Sequence, residues 1–486
     1  MKINALISAC ALIALTGLAQ ATVIEIQSRD APGIGFNDPT PVSPVGGNNG
    51  LTLGQQRMNV YRHVADIWAQ ALHSDVKITV SAGWEALDCN ATGAVLGSAM
   101  PYNVWYDFPG APVAHTWYPQ ALADKLSGLS LTDYYGQTDD GSGYGNVDIK
   151  TQFNIALGAN GCLTGTTFYL GFDGKPGASQ LDFATTLLHE LGHGLGFSLL
   201  TTDASSGARL YEMPSIWESF MFDNGAGKTW LAMDDYERSA SAVNPLALAW
   251  TGPHVVSAVP QVLSFGRLPG LRVSGSGAGA SAGLKQVGEA EFGPALAVQP
   301  LAAPVVRVVD QTNGTGLACV PLSAANKSLV AGKIALIDRG SCAFTVKVKN
   351  LQAAGAKAVM VADNVVEPIS GMAGTDATIT IASVRILKTD GDAIKAALLT
   401  RTRAQSAPQV VASLAASVTT QYAGADTLGR PLLYTPAVFA SGSSVSHWDP
   451  SLTPDMLMEP FITSGLTASV APPKDLTLPL LQDLGW

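Results

Sequence analysis

The run Thr186-Leu-Leu-His189-Glu190-Leu-Gly-His193-Gly-Leu-Gly196-Phe197 sets two imidazoles four residues apart, with a carboxylate beside the first. On a helix of about 3.6 residues per turn, positions 189 and 193 share a face, so both rings can reach one metal ion. Glu190 sits one step round, where it can touch a water on that metal without ligating it. Two protein ligands, an open position for water and an adjacent base make the zinc hydrolase arrangement, with one catalytic Zn2+. Ala184, Leu187, Leu188, Leu191 and Leu195 form an apolar stripe at helical spacing, which gives the helix a core side distinct from its ligand side. Gly196 then lets the helix stop in a left-handed cap.

Elements that would carry such a helix are legible around it. Val60, Val64, Ile67, Trp68 and Leu72 repeat at helical spacing through residues 51–75, and Lys77-Ile-Thr-Val-Ser81 follows as a strand. Short strands and turn signals fill residues 100–170, among them Asp107-Phe-Pro-Gly110 and Asp139-Asp-Gly-Ser-Gly143. A Gly/Ser/Ala stretch at 274–283 reads as a flexible connection. Beyond it, residues 333–338 and 358–362 read as buried strands around an amphipathic helix at 343–354, one βαβ turn, with another helix at 392–399.

The chain of 486 residues is too long for one ordinary core. A net charge of −10 with 14% charged residues argues against nucleic acid or anionic membrane partners. Residues 1–21 read as a secretory signal: Lys2, an apolar run over 5–18, and a small-x-small site at Ala19-Gln20-Ala21. That run is short for a membrane span, and no other stretch approaches one. Ile7-Ser8-Ala9-Cys10 resembles a lipoprotein box, but too little apolar sequence precedes it. Removing the signal leaves Cys89, Cys162, Cys319 and Cys342, which allow three pairings. Their clustering as two early and two late favours Cys89–Cys162 and Cys319–Cys342. Asn90, Asn313 and Asn326 head glycosylation triplets.

Two segments resemble known families. Asp338-Arg-Gly-Ser-Cys342-Ala-Phe344-Thr-Val-Lys347-Val-Lys-Asn350-Leu-Gln-Ala-Ala-Gly355 is similar to the protease-associated (PA) domain, a small non-catalytic insert of secreted peptidases and sorting receptors. It implies a lid, substrate-binding or interaction role. The zinc helix raises a second comparison. In metzincin proteases the third histidine lies three residues after the glycine, where this chain has Leu199. In leishmanolysin-like metalloproteases it comes later, in a His-Trp segment leading to a methionine turn. Ser446-His447-Trp448-Asp449-Pro450, continuing to Met456-Leu457-Met458-Glu459-Pro460, resembles that segment. The resemblance makes His447 the third ligand and Met458 the turn methionine, and the ending Asp483-Leu-Gly-Trp486 suits the family's last helix. The chain departs from the family in its few cysteines, and in the insertion separating His193 from His447.

The fold expected is an α+β metzincin-like catalytic domain split by an inserted small α/β PA-like domain. Residues 1–21 are the signal peptide, and 22–287 the N-terminal part of the metalloprotease domain with the zinc helix. Residues 288–412 are the insert, and 413–486 the C-terminal part with the third histidine and methionine turn. The function implied is a secreted zinc endopeptidase, extracellular or periplasmic, acting on protein or peptide substrates, with Glu190 as catalytic base and His189, His193 and His447 as metal ligands. A secreted non-catalytic binding protein of the same scaffold is the alternative, and a zinc hydrolase of non-peptide substrates a third. The intact Glu190 favours the enzyme, since a binding module needs no base between ligands. His254, in Trp250-Thr-Gly-Pro-His254-Val-Val256, competes with His447 by distance. Its surroundings read as a turn entering a β-branched strand with no methionine turn after it. His63 and His73 read as surface or packing residues, and His115 as a residue near the cleft.

Overall fold

The computed structural model describes residues 22–136, 146–309, 316–366, 369–399, 410–463, 465–466 and 468–486. The signal peptide expected at 1–21, the turn at 139–143 and the acceptor Asn313 lie outside them. The chain divides into two units, residues up to 264 together with 421–486, and residues 265–420.

The first unit begins with β1 (Ile24–Ser28), α1 (Leu53–Ala71), β2 (Ile78–Glu85) and β3 (Gly97–Pro101). After these come α2 (Gln120–Ser127), β4 (Ile149–Asn154), α3 (Phe183–Gly194) and α4 (Pro253–Val262). Four strands form one sheet in the order β1-β2-β4-β3, parallel except for the edge strand β3. Nearly every residue of β2 is buried, as expected of a strand covered on both faces. Val60, Val64 and Trp68 of α1 and Phe183, Leu187, Leu188 and Leu191 of α3 share its core. Phe183 meets Phe153 of β4 edge to face at 4.8 Å. The Trp68 indole N–H donates to Leu188 O at 3.3 Å, tying α1 to the helix with the His-Glu pair.

The second unit contains β5 (Phe265–Ser274), β6 (Gly283–Glu289), β7 (Leu301–Arg307), β8 (Ile334–Asp338), α5 (Phe344–Ala353), β9 (Ala358–Ala362), β10 (Ala382–Ile386), α6 (Lys388–Leu399) and β11 (Val411–Tyr422). Its strands close into a barrel in the order β5-β6-β10-β9-β8-β7-β11, with β7 to β10 mutually parallel. The barrel therefore starts well before residue 288, and the stretch at 274–283 is no loose connection. It is the turn between β5 and β6, with Ala278 and Ser281 buried. Small residues read as flexible in sequence because they lack bulk, yet the same lack of bulk lets a turn pack tightly. One βαβ turn was legible. The antiparallel strands that close the barrel were not, because pairing of distant strands leaves no local period. Both disulfides, Cys89–Cys162 and Cys319–Cys342, form within their own units.

The chain then returns to the first unit and ends in α7 (Thr477–Leu484). Ala423 N donates to Ser264 O at 2.9 Å, so the two points where the first unit is interrupted lie side by side. The insertion thus costs that unit little closure entropy. Replacing residues 265–420 by a short Gly/Ser linker should leave cooperative unfolding and metal binding of the remainder intact. Metal analysis and thermal unfolding of that variant test this, and loss of bound metal from a folded product would count against it.

A buried carboxyl pair joins α2 to the start of β4. Asp124 accepts from Gln120 Nε2 and from Leu131 N and shares a hydrogen bond with Asp148, whose Oδ2 accepts Thr79 N at 2.6 Å. Burial, reinforced by the Asp124 charge, pushes Asp148 up to about 8 despite the Thr79 amide. An acid raised on folding contributes stability below its unfolded pKa of 3.8, and loses that contribution as pH climbs through about 8. The melting temperature of Asp148→Asn minus that of the parent should therefore increase between these two limits. A difference that stays flat with pH would contradict a shared proton.

Candidate metal centre

Helix α3 is set by the residue before it and held by its glycines. Asp182 caps it, accepting from Ala184 N at 2.9 Å and Thr185 N at 3.4 Å. A Cβ on Gly194 would fall 2.3 Å from Ile149 Cγ2 on the central strand β4, and one on Gly192 would fall 2.8 Å from Met458 Sδ. These glycines let the helix lie close to the sheet on one side and to the methionine turn on the other. Gly196, at φ +116°, then turns the chain away.

His189, His193 and His447 come together at one point, each offering a ligand atom within 4.8 Å of the other two. The Nε2 atom of His193 lies 3.1 Å from that of His189 and 3.2 Å from that of His447. Each Nδ1 is bound to a backbone carbonyl: His189 to Leu457 O at 2.7 Å, His193 to Phe197 O at 2.7 Å, and His447 to Ser443 O at 2.9 Å. A carbonyl only accepts, so each Nδ1 carries the proton and each Nε2 presents a lone pair. Burial opposes relieving that crowding by protonation. It depresses His189 to about 4, His447 to about 3, and His193 well below the usual value with help from its two neighbours. Three lone pairs facing each other call for a cation. Bonds of about 2.0–2.1 Å at tetrahedral angles put zinc-bound nitrogens about 3.3 Å apart, close to the two short separations here. The donor set fits zinc.

Glu190 stands beside the trio, partly open to solvent. The backbone N–H of Ala99 on the edge strand β3 is near enough to favour its charged form. The carboxylate loses most of its hydration there, which pushes it up to about 8 against the stabilising Ala99 amide. A dication held by the histidines would act in the opposite sense.

The chain reaches His447 through strained backbone. Val445 is β-branched, fully buried and held at φ +68°, a conformation costing about 1–3 kcal/mol. Val445 N donates to Tyr434 O, and Tyr434 N to His447 O at 2.9 Å. Leu199, at the place where a compact motif would carry its third histidine, donates its N–H to Ser446 Oγ at 3.1 Å. Residues 456–458 form the hub. Leu457 O holds His189, Met458 O accepts from Trp448 N at 2.9 Å, and the Met458 side chain, fully buried, packs under Gly192.

The other histidines lie elsewhere. His254 opens helix α4, not a strand. Gly252 and Pro253 start that helix, and Asp483 Oδ1 accepts both His254 N at 2.7 Å and Nδ1 at 3.0 Å. Pro at the first helical position outweighs the β preference of Val255 and Val256. His115 sits on an exposed loop paired with Asp107 at 3.1 Å and is not one of the three clustered histidines. His63 stacks on Phe172, and His73 is exposed.

Ala99, the three orienting carbonyls and the buried Asp475 behind Leu457 were not legible in the sequence. Any residue supplies a backbone group, so none of these partners requires a particular side-chain type. Asp475 stood in a polar stretch with no motif around it.

The family comparison bears on the second unit. The PA domain family matches residues 301–394, and a PA domain is present there. Vacuolar-sorting receptor 5 of Arabidopsis thaliana is 44% identical over 73 residues, 14% of this chain and 12% of that protein. Vacuolar-sorting receptor 1 of Pisum sativum is 43% identical over 74 residues, 13% of this chain and 12% of that protein. The chain thus spans only 12% of the length of these curated relatives. Among solved structures, a zinc aminopeptidase from Bacillus subtilis is similar at TM-score 0.22 and 23% identity, over 34% of this chain and 36% of that one. The subtilisin-like protease Apa1 from Pseudoalteromonas sp. AS-11 is similar at TM-score 0.23 and 17% identity, over 33% and 35%. No helix among the described residues is long and apolar enough to cross a membrane.

His447→Ala should remove most bound zinc from the purified protein, and His254→Ala should retain it. Metal analysis after dialysis distinguishes the two, and the reverse pattern would reassign the third ligand.

Proposed function

We propose that this chain is a secreted zinc endopeptidase of the leishmanolysin-like metzincin type, interrupted by a PA domain. The observation that carries the reading is the meeting of three Nε2 lone pairs next to Glu190. A zinc ion held by His189, His193 and His447 would supply Lewis acidity toward a substrate carbonyl and toward a water. Glu190 takes a proton from the attacking water and returns it to the leaving nitrogen. The carbonyls of Leu457, Phe197 and Ser443 keep each ring in its ligating tautomer throughout. Met458 does no chemistry. It fills the space under Gly192.

A peptide substrate is favoured by strand β3. It is the edge of its sheet among the described residues, and the Ala99 N–H points to Glu190. Extended chains dock on such edges by backbone pairing, which would lead a peptide past the base. Secretion is supported by the leader-like residues 1–21 and by two disulfides, which persist in oxidising compartments. The similarity to sorting receptors favours a recognition role for the PA domain itself, and that role accompanies the peptidase reading.

Glu190→Gln keeps the shape and the three ligands while removing the base. Hydrolysis of an unfolded protein substrate should fall by at least about 10²-fold with zinc content unchanged. A chelator should abolish the activity of the parent. Unchanged turnover in the variant, with zinc bound, would rule out this mechanism.

A further inference from the structure

Residues 475–486 reach both ends of the site through hydrogen bonds to backbone groups. Asp475 is completely buried; its Oδ2 accepts Leu457 N at 2.6 Å and its Oδ1 accepts Thr477 N at 2.7 Å. Leu457 is the residue whose carbonyl receives His189 Nδ1. At the other end, Trp486 Nε1 donates to Leu195 O at 2.8 Å, where α3 ends. Two residues later Phe197 O receives His193 Nδ1. Lys125 Nζ donates to Gly485 O at 2.5 Å and keeps the Trp486 segment in place.

The same segment supplies its own contrast. The Asp483 carboxylate is also enclosed, but it binds Trp250 Nε1, His254 and the Val255 amide, none of which belongs to a ligand-bearing segment.

We propose that Asp475 and Trp486, at the two ends of residues 475–486, brace the metal centre, Asp475 positioning His189 and Trp486 positioning His193 by holding the turns whose carbonyls receive the rings. This rests on reading the three histidines as a metal site. The physical reason lies in how the rings are oriented. Their Nδ1 partners are carbonyls of turns, and turns move more easily than packed carboxylate side chains. What fixes the turn therefore fixes the ring; direct hydrogen-bond partners of a ligating ring are worth about 10–100-fold in metal affinity, and Asp475 and Trp486 act one bond further out. A hydrogen bond to a buried carboxylate is the stronger anchor, so Asp475 should matter more than Trp486.

The test uses the full chain, stripped with a chelator and titrated with Zn2+ against a chromophoric competitor, alongside thermal unfolding of the metal-free form. Asp475→Asn should weaken zinc binding by about 10-fold, the lower limit for a direct ring partner, and Trp486→Phe, which loses only the N–H, by a smaller factor. Asp483→Asn should lower the unfolding temperature and leave zinc affinity at the parental value. If Asp475→Asn does not fold, Asp475→Glu carries the test, since it keeps the charge but displaces the anchor. Its affinity should fall as well. Zinc affinity of the Asp475 and Trp486 variants equal to that of Asp483→Asn would overturn the brace. A parent that binds no zinc would overturn the metal reading beneath it, and that outcome is visible before any variant is made.

Discussion

Three imidazole lone pairs crowd into one small volume, and much of the first unit is organised to make them do so. Left empty, such a point is electrostatically poor: neutral rings repel through their lone pairs, and burial makes protonation costly. The fold bears that cost by tying each Nδ1 to a carbonyl on a separate turn, at 193–197, 443–447 and 456–458. A cation turns the repulsion into coordination. Metal affinity is then a property of how well those turns are held.

The glycines of α3 follow from the same constraint. Helix α3 approaches the sheet at one residue and the turn at Met458 at another so closely that a Cβ has no room, and Gly192 and Gly194 stand at those two points. Strain is accepted nearby for the same purpose. Val445 holds a left-handed conformation that a β-branched residue rarely adopts, two residues before His447. Its amide is engaged by Tyr434, which also takes up the His447 carbonyl, so the neighbourhood over-determines the conformation.

The two units solve different problems. The first packs α1 and α3 on a mostly parallel sheet whose antiparallel edge lies beside Glu190, and gathers its three histidines where α3 meets residues 443–458. The second closes its strands into a barrel, which removes free edges and lets it fold around cores of its own. Because Ser264 and Ala423 are hydrogen-bonded neighbours, the sequence distance between His193 and His447 imposes little on the first unit.

Composition and spacing were enough to expose His189, Glu190 and His193, because a helix converts a four-residue interval into shared direction. Local patterns also carried α1, the strand that follows it, the βαβ core of the second unit and the cysteine pairing. His447 came only through a family resemblance, since nothing in local periodicity links residues so far apart. Tertiary structure alone decided the rest. It joined His447 to the pair, turned the stretch around His254 into a capped helix, and moved the start of the second unit back to β5. It also enlisted backbone groups of Ala99, Leu457, Phe197 and Ser443, together with Asp475 and Trp486. Side-chain chemistry is written in the sequence one residue at a time. Backbone hydrogen bonds are available to every residue alike, so which of them serve the site depends on the folded path of the chain.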